Sequence, residues 1–102
     1  MNELKTYTCI VEYFATGEGF HVYLGVVRAT SRQNAIKSFR NHFKFFDKSR
    51  CWNYFKIGLE VSNGINRHKL SNYLSHGLIS HIKQHVAFEN VFMELNFGST
   101  IF

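Results

Sequence analysis

Eight of the chain's twelve Lys and Arg residues fall between positions 28 and 56: Arg28, Arg32, Lys37, Arg40, Lys44, Lys48, Arg50 and Lys56. One acid, Asp47, lies among them, so this stretch carries +7; the remainder, with four bases against six acids, carries −2. Lys37, Arg40, Lys44 and Lys48 recur every three or four residues, which on a helix places them within about 80° of one another. A row of cations at such spacing is what a phosphate backbone requires. Arg28 and Arg32 lie near the expected start of that helix, where exposed amides also favour anions. A merely solvated helix face normally interleaves Glu with Lys for i, i+4 pairing, and this one has no Glu.

Aromatic residues adjoin the cations. Phe45 falls on the far side of its helix from the apolar positions, and Trp52 follows Lys48 and Arg50 in the next loop. Rings in such places can stack on bases. The candidate binding set is therefore Arg28, Arg32, Lys37, Arg40, Lys44, Phe45, Lys48, Arg50 and Trp52. An acidic protein patch would satisfy the same cations, and the sequence leaves the two partners open.

His81 and His85 form an i, i+4 pair, a spacing that lets two imidazoles share a metal. A site needs a third ligand, and no H-E-x-x-H pattern is present. Cys9 and Cys51 match no metal or redox spacing and are expected as reduced thiols, Cys9 packed as a small hydrophobe. Catalysis would need a nucleophile beside a base, paired carboxylates or a phosphate-cradling loop. The acids are scattered, and "GEG" at 17–19 opens no helix. The chain is read as non-catalytic and without a cofactor.

The elements that must hold these residues follow from periodicity. Tyr7, Cys9, Val11 and Tyr13 alternate through residues 5–14, and Phe20, Val22, Leu24 and Val26 through 20–29, with a Gly-containing loop of about five residues between them. This predicts an antiparallel hairpin. Thr30 with Gln33 fits a capping box, and Ser31 is a second candidate cap. Ala35, Ile36, Phe39, Phe43 and Phe46 then predict a helix from about 31 to 46. Residues 54–62 read as a third strand. Asn66 can cap a second helix from about 67 to 86, with Gly77 in its middle at a cost of about 1 kcal/mol relative to Ala. Val91, Met93, Leu95 and Phe97 predict a last strand.

The order β-β-α-β-α-β predicts an α+β fold: a two-layer sandwich of four mainly antiparallel strands, with both helices on one face. At 102 residues, 1–102 reads as a single domain. The other sheet face would then expose Ile10, Phe14, Tyr23, Val27, Tyr54 and Phe92, enough apolar surface for a homodimer. Apolar runs are short and charged, so no membrane span is expected, and the N-terminus lacks the pattern of a signal peptide. A cytoplasmic location is the expectation.

The hairpin leading straight into "A-T-S-R-Q-N-A-I-K" resembles the opening of small phage and mobile-element proteins, in layout some anti-CRISPR inhibitors. The likeness covers about the first 40 residues and carries over no individual residue. It implies a compact, non-catalytic protein that blocks a host protein or ribonucleoprotein complex by binding it. Direct binding of RNA or DNA as a regulatory module is the alternative.

Overall fold

A computed structural model describes residues 3–15, 19–43 and 59–96. In chain order its elements are β1 (Lys5–Ala15), β2 (Gly19–Ala29), α1 (Arg32–His42), β3 (Glu60–Asn63), α2 (Arg67–Leu70), α3 (His76–His85) and β4 (Val91–Asn96). The four strands form one antiparallel sheet in the order β3-β1-β2-β4. The expected α+β class, four-strand count and element order are therefore present, with the second helix divided in two. The part of the expected third strand before residue 59, and the end of the first helix beyond residue 43, lie outside the described residues.

The layering differs from the expectation. Pairs such as Tyr7↔Val27 and Val11↔Tyr23 set odd residues of β1 beside odd residues of β2. Tyr7, Cys9, Val11, Tyr23 and Val27 accordingly form one core with Ala35, Phe39 and Phe43 of α1. Ile10, Val22, Leu24 and Val26 point the other way and meet Leu70 of α2, Leu74, and Ile79 and Ile82 of α3. Helices thus cover both faces, in three layers rather than two. The alternation of each strand was real, but Tyr7–Cys9–Val11 and Val22–Leu24–Val26 belong to opposite faces. Central strands apolar on both sides are the signature of a doubly covered sheet, and residues 22–27 of β2 are all buried. Among the described residues the expected open face is not found: Ile10 lies in one core, while Tyr23, Val27 and Phe92 lie in or against the other. The side chains of Phe14 and Tyr54 are outside the described set.

Two details fix how closely the layers approach. A Cβ on Gly25 would sit 2.8 Å from Phe39 Cδ1 and 3.2 Å from Phe92 Cδ1, so only glycine lets α1 seat this deeply. On the other face the buried Thr8 hydroxyl donates to the Gly64 carbonyl at 2.6 Å and accepts from the Asn66 amide at 3.0 Å. It clamps the turn after β3 to the sheet. Gly64 takes φ 72° there, a left-handed conformation that favours glycine.

The caps are chosen among the expected residues. Ser31, not Thr30, caps α1, its Oγ accepting from the Asn34 amide at 3.1 Å; Thr30 instead accepts from the Asn34 side chain at 2.7 Å. Asn66 caps α2, accepting from the Lys69 amide at 3.0 Å. The single helix expected over 67–86 breaks at 71–75, where Ser71 Oγ donates to the His68 carbonyl and Ser75 caps α3 through the Leu78 amide. Serine hydroxyls compete with the helical ladder in this way. Gly77 therefore sits in the first turn of α3 instead of mid-helix, with open space around its Cβ position.

Candidate functional site

α1 forms because Ser31 satisfies its first amides and Ala35, Phe39 and Phe43 seat on the sheet. That seating turns Lys37 and Arg40 outward, and both are exposed. Gln33 and Asn41 are exposed as well, and α1 holds no Asp or Glu. The cationic face expected of this helix is present over its described length.

The other expected binding residues are not all part of it. Arg32 Nη1 donates to the Val61 carbonyl at 2.9 Å, which ties the start of α1 to β3. Arg28 lies at the end of β2, where its Nη1 donates to the Ala87 carbonyl at 3.4 Å and its backbone amide donates to Asn90 Oδ1 at 2.9 Å. It therefore fastens the turn between α3 and β4 and stands apart from the α1 face. Lys44, Phe45, Lys48, Arg50 and Trp52 lie outside the described residues.

Two features of the surface escaped sequence reasoning. First, the absence of acid is not confined to α1. "RHKL" of α2 and "HGLISHIKQH" of α3 also contain no Asp or Glu, and every histidine except His21 lies in a helix. The acids Glu12, Glu60 and Glu94 are on strands, and Glu89 is in a turn. A count by helix would have found this; a count along the chain diluted it with the strands between.

Second, the His42 ring at the end of α1 has its aromatic partner in β4. The His42 ring stacks on Phe92 with centroids 4.0 Å apart and planes 8° apart, and meets Phe43 edge-on at 4.7 Å. His42 is exposed. A flat imidazole face thus ends the helix that carries Lys37 and Arg40.

On the opposite face, Tyr73 donates to Glu12 and Lys69 pairs with Glu60, around a cleft of about 180 Å³ also lined by Ile10 and Asn72. Burial, then the hydrogen bond to Glu12, pushes the Tyr73 phenol up to about 12. A phenol that keeps its proton this far is no base at neutral pH. The pairs pin α2 and the turn after it to the sheet.

His81 and His85 of α3 stack with centroids 6.0 Å apart, and His85 Nε2 lies 2.7 Å from Glu89 Oε1. Among the described residues no three His, Cys, Asp or Glu come together as a metal site. Cys9 is fully buried under α1. Burial pushes its thiol up to about 12, against a smaller opposing effect of the Arg32 charge. A thiol so placed is a packing group rather than a nucleophile. Among the described residues no helix is long and apolar enough to cross a membrane. Compared with known proteins, the chain matches no family model, no curated protein and no solved structure.

Proposed function

We propose that this is a small, non-catalytic binding protein that engages a nucleic-acid-bearing surface through the outward face of α1. The observation that carries this reading is the outward face of α1: Lys37 and Arg40 stand exposed on a helix without a single Asp or Glu, which Ala35, Phe39 and Phe43 seat on the sheet. Lys37 and Arg40 would meet phosphates. The His42 ring, backed by Phe92 on another flank of the same helix, would take a base or sugar face of a strand that passes around the end of α1, which favours a nucleic acid over an acidic protein as the ligand. A cytoplasmic setting accords with the free, buried thiol of Cys9. The inhibitor role that the likeness to anti-CRISPR proteins implies would then rest on occupying such a surface in a larger assembly.

The test is fluorescence anisotropy with labelled single-stranded RNA, single-stranded DNA and duplex DNA at about 50 and 200 mM salt. The expected result is binding that weakens steeply between the two. The double variant Lys37→Glu/Arg40→Glu should bind at least about tenfold more weakly at the lower salt, with a salt slope smaller by about two. Its thermal midpoint should be nearly unchanged, because exposed charges contribute little to stability. No binding of any of the three at about 50 mM salt, or full affinity in the double variant, would refute the reading. Capture of the wild type on immobilised polyglutamate in that event would move the partner to an acidic protein.

A further inference from the structure

β4 is the outermost strand on its side of the sheet, and among the described residues no strand pairs with its outer edge. Natural edge strands are guarded by lysine, proline, bulges or shortness. The sequence VFMELN has neither Lys nor Pro, and Val91, Phe92, Met93 and Leu95 are all only half-buried. Val91 and Met93 continue into an apolar groove of about 260 Å³ shared with Leu78, His81, Ile82 and His85 of α3. Phe88, in the turn that leads into the strand, is 88% exposed.

Charge points to the occupant. After Lys83 the sequence contains no Lys or Arg, and its only charged side chains are Glu89 and Glu94. Copies of a chain carrying +5 repel one another. Apart from Arg28, whose guanidinium reaches Ala87 at one end, this strip is where two of them can meet without setting cation against cation.

We propose that β4 pairs antiparallel with β4 of a second copy across a two-fold axis normal to the sheet, joining two four-stranded sheets into one. Such an axis keeps each face on its own side, so even-numbered residues oppose even and odd oppose odd. Centring the pair on Glu94 would set that carboxylate against its own copy, which is destabilising. Centring it on Phe92 would pair only Val91–Met93 within the strand. Centring it on Met93 pairs five strand residues, Met93 against Met93, Val91 against Leu95 and Phe92 against Glu94, so every contact within the strand on the groove side is apolar. The register is therefore centred on Met93. One strand pair and the adjoining groove are smaller than a standard interface of about 1,600 Å², so micromolar association is expected. Both α1 helices would then stand on the same side of the joined sheet, their Lys37–Arg40 faces pointing the same way.

Sedimentation equilibrium of the full chain without nucleic acid, from about 5 to 500 µM, brackets that affinity. Reversible dimerisation is expected, with Met93→Lys monomeric throughout and an unchanged circular dichroism spectrum. Wild-type protein that stays monomeric over the whole range would overturn the proposal. The register is read from one introduced cysteine at a time in a Cys51→Ser background, where the remaining Cys9 is fully buried. Antiparallel partners lie about 4.5–5.5 Å apart at Cα, within disulfide reach. Met93→Cys should oxidise to a disulfide dimer and Leu95→Cys should not. Equal crosslinking of both, or of neither, would sink the pairing even if Met93→Lys fails to fold.

Discussion

The two faces of the sheet are packed from different materials. Under α1 the core is aromatic, with Tyr7, Tyr23, Phe39 and Phe43 around Cys9 and half-buried Phe92 at its margin. Under α2 and α3 the buried residues are aliphatic: Ile10, Val22, Leu24, Val26, Leu70, Leu74, Ile79, Ile82 and Val86. Large rings need room, and the first face provides it at Gly25, where Phe39 occupies the space a Cβ would take. The ring of Phe39 packs within 5.0 Å of Phe43, tilted by 59°, and Phe43 meets Tyr23 edge-on at 5.2 Å. Aromatic pairs of this kind favour particular orientations. Aliphatic side chains are less directional, and they are covered by a helix that breaks and resumes over them. The first face is thus a lock around one helix, and the second is a cover assembled from pieces.

The strongest way to break that contrast is Phe39→Ala. It should cost about 3–5 kcal/mol, since a fully buried ring leaves a cavity its rigid neighbours cannot close. Ile79→Val on the other face should cost about 0.5–1.5 kcal/mol. Urea unfolding of both variants checks the ordering, and a Phe39→Ala loss no larger than that of Ile79→Val would end the distinction. Gly25→Ala comes next, at about 1–3 kcal/mol, because the added methyl must push Phe39 or the strand aside. A neutral result would mean that α1 can lift without loss.

The smallest effect at neutral pH sharpens the comparison chemically. The thiol of Cys9 is held at about 12 when folded against 9.0 when free. The unfolded chain therefore releases this proton first, and stability from this group is full below about pH 9 and lost as pH rises toward 12. Tyr73, raised from 10.0 to about 12, acts in the same direction at the margin of the aliphatic face. Thermal melts from pH 8 to 11 should show a decline that Cys9→Ala reduces. An identical decline in that variant would show that the aromatic face does not set it.

Much of this was legible in the residues and some was not. Hairpin, first helix and last strand were readable because alternation and i, i+3/i+4 spacing are local. Layering was not, because a strand apolar on both sides offers two equally good inner faces, and only the pairing of Tyr7 with Val27 chooses between them. The break at Ser71–Ser75 was written in serines and an asparagine that also suit an unbroken amphipathic helix. On the surface, the outward placement of Lys37 and Arg40 was readable from spacing. The contacts of Arg28 and Arg32 were not legible, because the carbonyls they reach, Ala87 and Val61, lie far away in sequence. His42 went unnoticed for the same reason: its partner Phe92 is in the last strand.

The strand order β3-β1-β2-β4 has a further consequence for how the molecule comes into being. The first two strands are neighbours in sequence and central in the sheet, and α1 follows them immediately. A chain emerging from the ribosome therefore presents hairpin and covering helix together before either outer strand has been made. The aromatic face is largely assembled early, from contacts that need only short loops to close. The aliphatic face waits for the second half of the chain, leaving Val22, Leu24 and Val26 bare in the interval. Nascent protein is thus at its stickiest on the side that α2 and α3 will later occupy.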